Sequence, residues 1–199
     1  MRRILLALPA VAILACAGKT PAPQAGPPGP VPAGAPSRPA AGLAVAEFDL
    51  NHDGKADTWK FTRTGPDGKD VLVRRERDLN GDGKVDVWET FDDAGEPSFQ
   101  VFDLDFDGKP DVALHFEKGQ LVRKEFSFGF DGKPRAWSFY EKGKLVRKER
   151  DENGDGKVDY WEYWENGEID RIGIDTDADG KVDRWEQRKG PVADSPAAR

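Results

Sequence analysis

Short runs of strand-forming residues recur through residues 45–189, separated by breakers of two kinds. Val158-Asp-Tyr-Trp-Glu-Tyr-Trp164 and Leu145-Val-Arg-Lys-Glu149 are typical: five to seven residues, rich in aromatic and branched side chains, too short for helices. Some runs are joined by two residues ending in glycine, at Lys118-Gly119, Lys142-Gly143 and Asn166-Gly167. Asn-Gly between two such runs is a strong hairpin signal. Others are joined by longer acidic stretches. The pattern predicts a unit of strand, tight turn, strand and acidic loop. Repeated, it gives an all-β antiparallel meander of ~24-residue hairpin repeats. The sheet is elongated or rolled, and the pattern does not choose between them.

The acidic loops align with starts at Asp49, Asp78, Asp103, Ser127, Asp151 and Asp175. The last three intervals are each 24 residues, and the first two are 29 and 25. Counting from each start, position 11 is tryptophan in five copies: Trp59, Trp88, Trp137, Trp161 and Trp185. Position 14 is aromatic at Phe91, Phe116, Tyr140 and Trp164. Position 21 is arginine at Arg123, Arg147 and Arg171.

Oxygen-bearing side chains fall at positions 1, 3, 5 and 9 of five loops, with glycine at position 6. The sets are Asp49, Asn51, Asp53 and Asp57; Asp78, Asn80, Asp82 and Asp86; Asp103, Asp105, Asp107 and Asp111; Asp151, Asn153, Asp155 and Asp159; and Asp175, Asp177, Asp179 and Asp183. A tightly curled loop turns such alternate side chains inward, and a hard cation such as calcium takes about six to eight oxygens. Asp, Asn and Gly also make good turns without any metal. A turn needs two or three of them, whereas four in fixed register five times points to calcium. The Ser127 copy has Gly129 at position 3 and Arg135 at position 9, so an arginine stands where a cation would be. It is expected to be a metal-free turn. Position 12 is Glu89, Glu162 and Glu186 in three loops. These glutamates are candidate ligands or, equally, members of cross-strand ion pairs. With Asn166-Gly167 as the turn, Glu165 would face Glu168 and Glu162 would face Arg171.

The loop resembles EF-hand-like loops of bacterial β-repeat proteins, including the Asp-x-Asp-x-Asp-Gly-x-x-Asp loops of integrin-type propellers. Dockerin repeats share the period but follow the loop with a helix, and thrombospondin calcium repeats carry cysteines that this chain lacks. The resemblance covers the loops. In a meander, every acidic loop falls on one edge of the sheet, about 9–10 Å from the next. Carboxylates crowded in this way repel one another, so bound divalent ions should stabilise the fold.

The totals change the picture in two ways. Charged residues make up 34% of 199 residues and hydrophobic ones 37%, which suits a thin repeat structure better than a thick core. The formal net charge is −7, which argues against nucleic acid as a partner and for cations. Met1-Arg2-Arg3 and the apolar residues 4–15 have the form of a signal peptide. Ile13-Leu14-Ala15-Cys16 resembles the lipobox of bacterial lipoproteins, which implies lipidation of Cys16, a membrane anchor in the cell envelope and, with no aspartate following, the outer membrane. Residues 16–44 are then a Pro/Ala/Gly-rich tether of extended polyproline-like character, residues 45–189 the calcium-loop domain, and residues 190–199 a disordered tail.

The tryptophans read first as a packed ladder, and second as an exposed platform for polysaccharide or a protein partner. Arg123, Arg147 and Arg171, or neighbouring lysine stems, are placed to cover the tryptophan rings by cation–π contact. His52 and His115 have no serine or cysteine nucleophile near them in sequence, and the loops account for the paired carboxylates. The expected function is that of a membrane-anchored calcium-binding lipoprotein with a structural or interaction role, not an enzyme. A glycan-active enzyme would need two carboxylates in a cleft outside the loops.

Overall fold

The computed structural model describes residues 42–129 and 131–187. The predicted leader, Cys16, nearly all of the tether and the tail lie outside the described residues. Twelve strands follow one another as β1 (Ala44–Phe48), β2 (Thr58–Thr64), β3 (Asp70–Arg77), β4 (Val87–Phe91), β5 (Pro97–Phe102), β6 (Val112–Glu117), β7 (Gln120–Phe126), β8 (Ala136–Glu141), β9 (Lys144–Arg150), β10 (Tyr160–Glu165), β11 (Glu168–Ile174) and β12 (Arg184–Gln187). They pair in sequence order as one antiparallel sheet that stays open, with β1 and β12 at its edges. The expected meander is the observed fold.

Tight turns lie along one edge of the sheet. In the last three hairpins both turn residues have positive φ, at Lys118 (51°) and Gly119 (71°), Lys142 (50°) and Gly143 (75°), and Asn166 (53°) and Gly167 (86°). Two positive-φ residues in succession twist the chain in the sense that flanking strands require. Each of the five turn-joined hairpins then takes up one extra residue in its second strand. The bulge shifts the register predicted from the turn alone. Glu165 does face Glu168, but Glu162 faces Ile172, and Arg171 faces Tyr163.

One residue from each strand forms a row across the sheet, each the register partner of the next: Glu47, Trp59, Glu76, Trp88, Val101, Ala113, Glu125, Trp137, Glu149, Trp161, Gly173 and Trp185. Trp59, Trp88 and Trp161 are buried, as are Glu76 and Glu149 between tryptophans and Glu125 between Ala113 and Trp137. Three of these glutamates pair with the arginine two residues earlier: Arg74 at 3.2 Å, Arg123 at 2.7 Å and Arg147 at 2.9 Å. Those arginines belong to the neighbouring row, where Arg74 lies 3.9 Å over the Phe61 ring and Arg147 lies 4.2 Å over Phe139. Arg171 covers Tyr163 at 4.6 Å and Trp185 at 5.1 Å. Of the three arginines expected over the tryptophans, Arg171 alone meets one, Trp185, while Arg147 covers Phe139 instead and Arg123 turns to His115 and Glu125.

The main apolar cluster is Trp59, Phe61, Val85, Trp88 and Val101, with Ala56 packed against it. Ala56 and Val85 are position 8 of their loops, and each folds its loop back over the sheet. Val182 does the same in the last loop: a Cβ on Gly173 would meet it at 2.9 Å and Trp185 at 3.1 Å. The row carries glycine there because the loop already fills the space.

Two outcomes check this packing. Trp88→Ala should cost about 3–5 kcal/mol in equilibrium unfolding, the usual loss for a buried aromatic. Trp185→Ala, at 48% exposure, should cost about 1 kcal/mol or less. Burial pushes the Glu149 carboxyl up, with Arg147 opposing. A carboxyl raised in the folded state stabilises the fold below its ordinary range and loses that contribution as pH rises through the folded value. The stability of Glu149→Gln relative to the parent should therefore climb as pH rises above about 4.5. A difference independent of pH between about 4 and 7 would contradict this.

Candidate metal-binding loops

The six loops lie together along the edge opposite the tight turns, each joining two strands of the meander. Their bases belong to the sheet's own ladder. The N–H of position 1 donates to the position-9 carbonyl of the preceding loop in all five junctions: Asp78 to Asp57, Asp103 to Asp86, Ser127 to Asp111 and Asp151 to Arg135 at 2.8 Å, and Asp175 to Asp159 at 2.9 Å. The two ends of every loop are thereby fixed relative to its neighbours.

Within each full loop the side-chain oxygens collect backbone amides in one scheme. Asp78 accepts from the N–H groups of Gly81 and Gly83, both at 2.7 Å, and Asp151 accepts from Gly154 and Gly156 at 2.6 and 2.9 Å. Position 3 accepts from the amide of position 5, as from Asp155 to Asn153 at 2.8 Å. Position 5 accepts from position 7, as from Lys157 to Asp155 at 2.8 Å. Position 9 reaches back across the loop to position 2, as from Leu104 to Asp111 at 2.6 Å. Position 6 is glycine because its φ lies between 74° and 90° in every loop, a conformation costly for other residues. Position 4 is also left-handed, at His52, Phe106 and Ala178 as well as at glycines. His52 contributes only its backbone N–H, which donates to Asp49 at 2.7 Å.

The structure brings the sequence-predicted acids together in part. Positions 1, 3 and 9 converge in two loops, and position 5 stays outside both clusters, with Asp107 and Asp179 turned to lysines. Among the described residues, the loops at Asp49, Asp78 and Asp151 show no group of three converging carboxylates. In the two loops whose position 3 is also aspartate, carboxylate oxygens of three residues lie within 4.8 Å of one another: Asp103, Asp105 and Asp111, and Asp175, Asp177 and Asp183. Both triads can hold a metal ion. A carboxylate oxygen that accepts one amide keeps further lone-pair capacity, so the hydrogen bonds preorganise the acids without consuming them.

Self-contained Asx turns would show the same hydrogen bonds. What they would not show is Asp103 Oδ1, which is buried and meets no donor in hydrogen-bonding geometry, on a residue only 1% exposed. Asp57 Oδ1 also lacks a donor in close geometry, but there burial is outweighed by the Leu50 and Asn51 amides and the Thr58 hydroxyl, which hold the carboxyl below its ordinary range. A buried carboxylate oxygen without a partner is costly. Burial raises the Asp103 carboxyl's pKa, amides at Gly108 and Phe106 oppose this, and the charges of Asp105 and Asp107 add to the rise. Asp86 is raised in the same way by burial, against the Leu79 and Asn80 amides, with Asp78 and Asp82 adding to it. In Asp175 burial again pushes up, but the amides of Gly180, Ala178 and Asp177 outweigh it. A cation placed among these oxygens would relieve the raised groups.

Lysine at position 7 supplies part of that positive charge. Lys84 Nζ lies 3.1 Å from Asp82, Lys109 lies 2.7 Å from Asp107, and Lys181 lies 2.7 Å from Asp179. Lys157 instead reaches the Ala178 carbonyl of the next loop at 2.7 Å. In the Ser127 loop, Arg135 bridges to Asp131 at 3.0 Å, so the guanidinium stands in the acidic pocket as its sequence implied.

The position-12 glutamates face ion pairs. Glu89 receives Arg75 Nη2 at 2.9 Å and Gln100 at 3.1 Å, and lies 3.4 Å from Arg77. Glu162 lies 3.9 Å from both Lys148 and Arg150, and Glu186 lies 3.0 Å from Arg184. Of the two roles open to these residues, the geometry supplies the ion pair, and the ligand set rests on positions 1, 3, 5 and 9. Sequence reasoning missed the apolar position 8, which clamps the loops at Ala56, Val85 and Val182, and the buried glutamates beside the tryptophans. An Arg-x-Glu signal four and two residues before Asp78, Ser127 and Asp151 marks the latter.

No protein-family model matches the chain, and a comparison with curated proteins finds no match either. Among solved structures, it is similar to a crystal structure of accessory secretory protein 1, 2 and 3 in Streptococcus pneumoniae, with a TM-score of 0.40 and 13% identity over 58% of this chain. A GtfA/B complex gives a TM-score of 0.38 at 16% identity over 51% of this chain. Staphylococcus aureus TarM gives 0.32 at 15% identity over 65% of this chain. The chain spans about a fifth of the length of those structures, at 20%, 19% and 21%. Likeness at this level carries no argument about what the chain does.

Proposed function

We propose that the chain is a lipid-anchored, calcium-binding repeat protein of the bacterial cell envelope, with a structural or interaction role. The observation that supports the metal most directly is the triad of Asp103, Asp105 and Asp111, whose carboxylate oxygens lie within 4.8 Å of one another with Asp103 buried. Calcium suits the donors, because every candidate ligand is a hard oxygen and the loops offer no nitrogen or sulfur set. Five loops with complete oxygen sets and one closed by Arg135 give an expected stoichiometry of five ions. The anchor at Cys16 rests on its lipobox-like context. Among the described residues, no helix is long and apolar enough to cross a membrane.

The tryptophan face does not serve as an open platform in its interior, since Trp59, Trp88 and Trp161 are 7–9% exposed. The acids outside the loops that an enzyme reading would need, Glu76, Glu125 and Glu149, are buried between rings or beside arginine. Both observations favour a role in which the loops carry the function.

Thermal melts with EDTA and after calcium add-back test the proposal. A site filled at ten times its Kd stabilises the fold by about 1.4 kcal/mol, so five such sites give about 7 kcal/mol and, at about 2–4 °C per kcal/mol, add-back should raise Tm by roughly 15–30 °C. Asp155→Ala should remove about one fifth of that increment, one of five equivalent loops in the mass-action sum. Asp131→Ala, in the arginine-filled loop, should leave the increment unchanged. Identical melts with and without calcium would overturn the metal reading.

A further inference from the structure

The open sheet ends in two strands whose exposed edges complement each other. On β1, Phe48 directs its carbonyl to the Asp57 N–H across the β1–β2 pair. Backbone groups alternate in direction along a strand, so Val45 and Glu47 direct theirs to the outside. On β12, Trp185 occupies the register position that Trp59 holds on β2, where Trp59 faces Glu76 of the following strand. Among the described residues, no strand follows Trp185. It is 48% exposed where Trp59 is 8%, and Val45 and Phe48 at the other end are 36% and 37% exposed.

We propose that β12 of one molecule pairs with β1 of a second copy of this chain, continuing the meander across the junction. The directions match, since β12 runs away from the loop edge and β1 runs toward it. Transferring the β2–β3 register places Arg184 opposite Phe48 of the next copy, Trp185 opposite Glu47, Glu186 opposite Ala46 and Gln187 opposite Val45. The row that reads Trp59, Glu76, Trp88 inside the sheet then continues as Trp185, Glu47, Trp59 across the boundary. The Asp49 N–H meets the Asp183 carbonyl, repeating the bond that joins every pair of loops within the chain. Arg184 comes to lie against the Phe48 ring, a cation–π arrangement that Lys60 already makes with Phe48 at 4.7 Å.

The junction differs from the interior chiefly in the neighbouring row, where Gln187 takes the place that Phe61 holds on β2. Val45 stands where strands bearing the buried glutamates carry an arginine, so Glu47 comes without the partner that Arg74, Arg123 and Arg147 provide. That makes the contact weaker than an internal junction and reversible with concentration. Because the two edges are different surfaces, the contact is head-to-tail and adds further copies rather than stopping at a dimer. It does not depend on occupancy of the metal loops.

The test uses the full chain with Cys16→Ser, adding Ala46→Cys and Glu186→Cys together. These two positions form a narrow, non-hydrogen-bonded pair in the transferred register, with Cα atoms about 4.5 Å apart, inside the disulfide range of about 4.4–6.8 Å. Mild oxidation should give a covalent ladder of dimers, trimers and higher species. Sedimentation of the parent chain should show a mean mass that rises with concentration. Val45→Pro removes an outward N–H without touching the β1–β2 ladder, and should abolish the rise while far-UV circular dichroism stays unchanged. Monomer alone after oxidation would overturn the proposal. So would an internal disulfide formed within one chain, which would mean that the sheet closes on itself.

Discussion

Like charge gathered on one rim of a thin sheet is the constraint under which the rest of this molecule is built. The strand ladder forces it, because every acidic loop returns to the same edge two strands after the last, about 10 Å away. Two unit charges at that distance cost about 0.4 kcal/mol in water. Inside one loop the scale differs: at 4.8 Å and an effective dielectric of about 20, a like-charged pair costs about 3.5 kcal/mol. Repulsion within a loop therefore outweighs repulsion between loops. The local remedies fit that ranking: amides aimed at position 1, lysine on the position-5 carboxylate, and Arg135 inside the one loop that lacks a full set.

The sheet tolerates this because its hydrogen bonds run without interruption through the loop bases. Its apolar content is low, and the tryptophan row distributes it evenly, one ring on nearly every second strand. The glutamates between the rings would be costly alone, since a buried charge without a partner destabilises by several kcal/mol. Arginines two residues earlier meet them, and Arg74 and Arg147 lie over the next row of aromatic rings in the same movement. Packing and charge compensation are thus carried by the same side chains. A change at Arg147 should disturb both the Phe139 face and Glu149.

Much of this was legible in the chain. Loop spacing, the Asn-Gly and Lys-Gly turns and the tryptophan register depend on local sequence, and local rules place them correctly. What failed to show depends on neighbours. The bulge that moves Glu162 from Arg171 to Ile172 arises because each hairpin takes up an extra residue, and no turn residue announces it. The fate of the position-12 glutamates follows from that register and from Arg75, Lys148 and Arg150 on adjacent strands. Burial of Asp103 Oδ1, which separates a cation site from an ordinary turn, exists only once the loop is folded against the sheet.

The most direct measurement is an anomalous-difference map from crystals grown in calcium. The account predicts a peak in the Asp103 loop about 2.3–2.6 Å from Asp103 Oδ1, with no peak in the loop that holds Arg135. An empty Asp103 loop at saturating calcium, its carboxylates hydrogen-bonded to water instead, would contradict it.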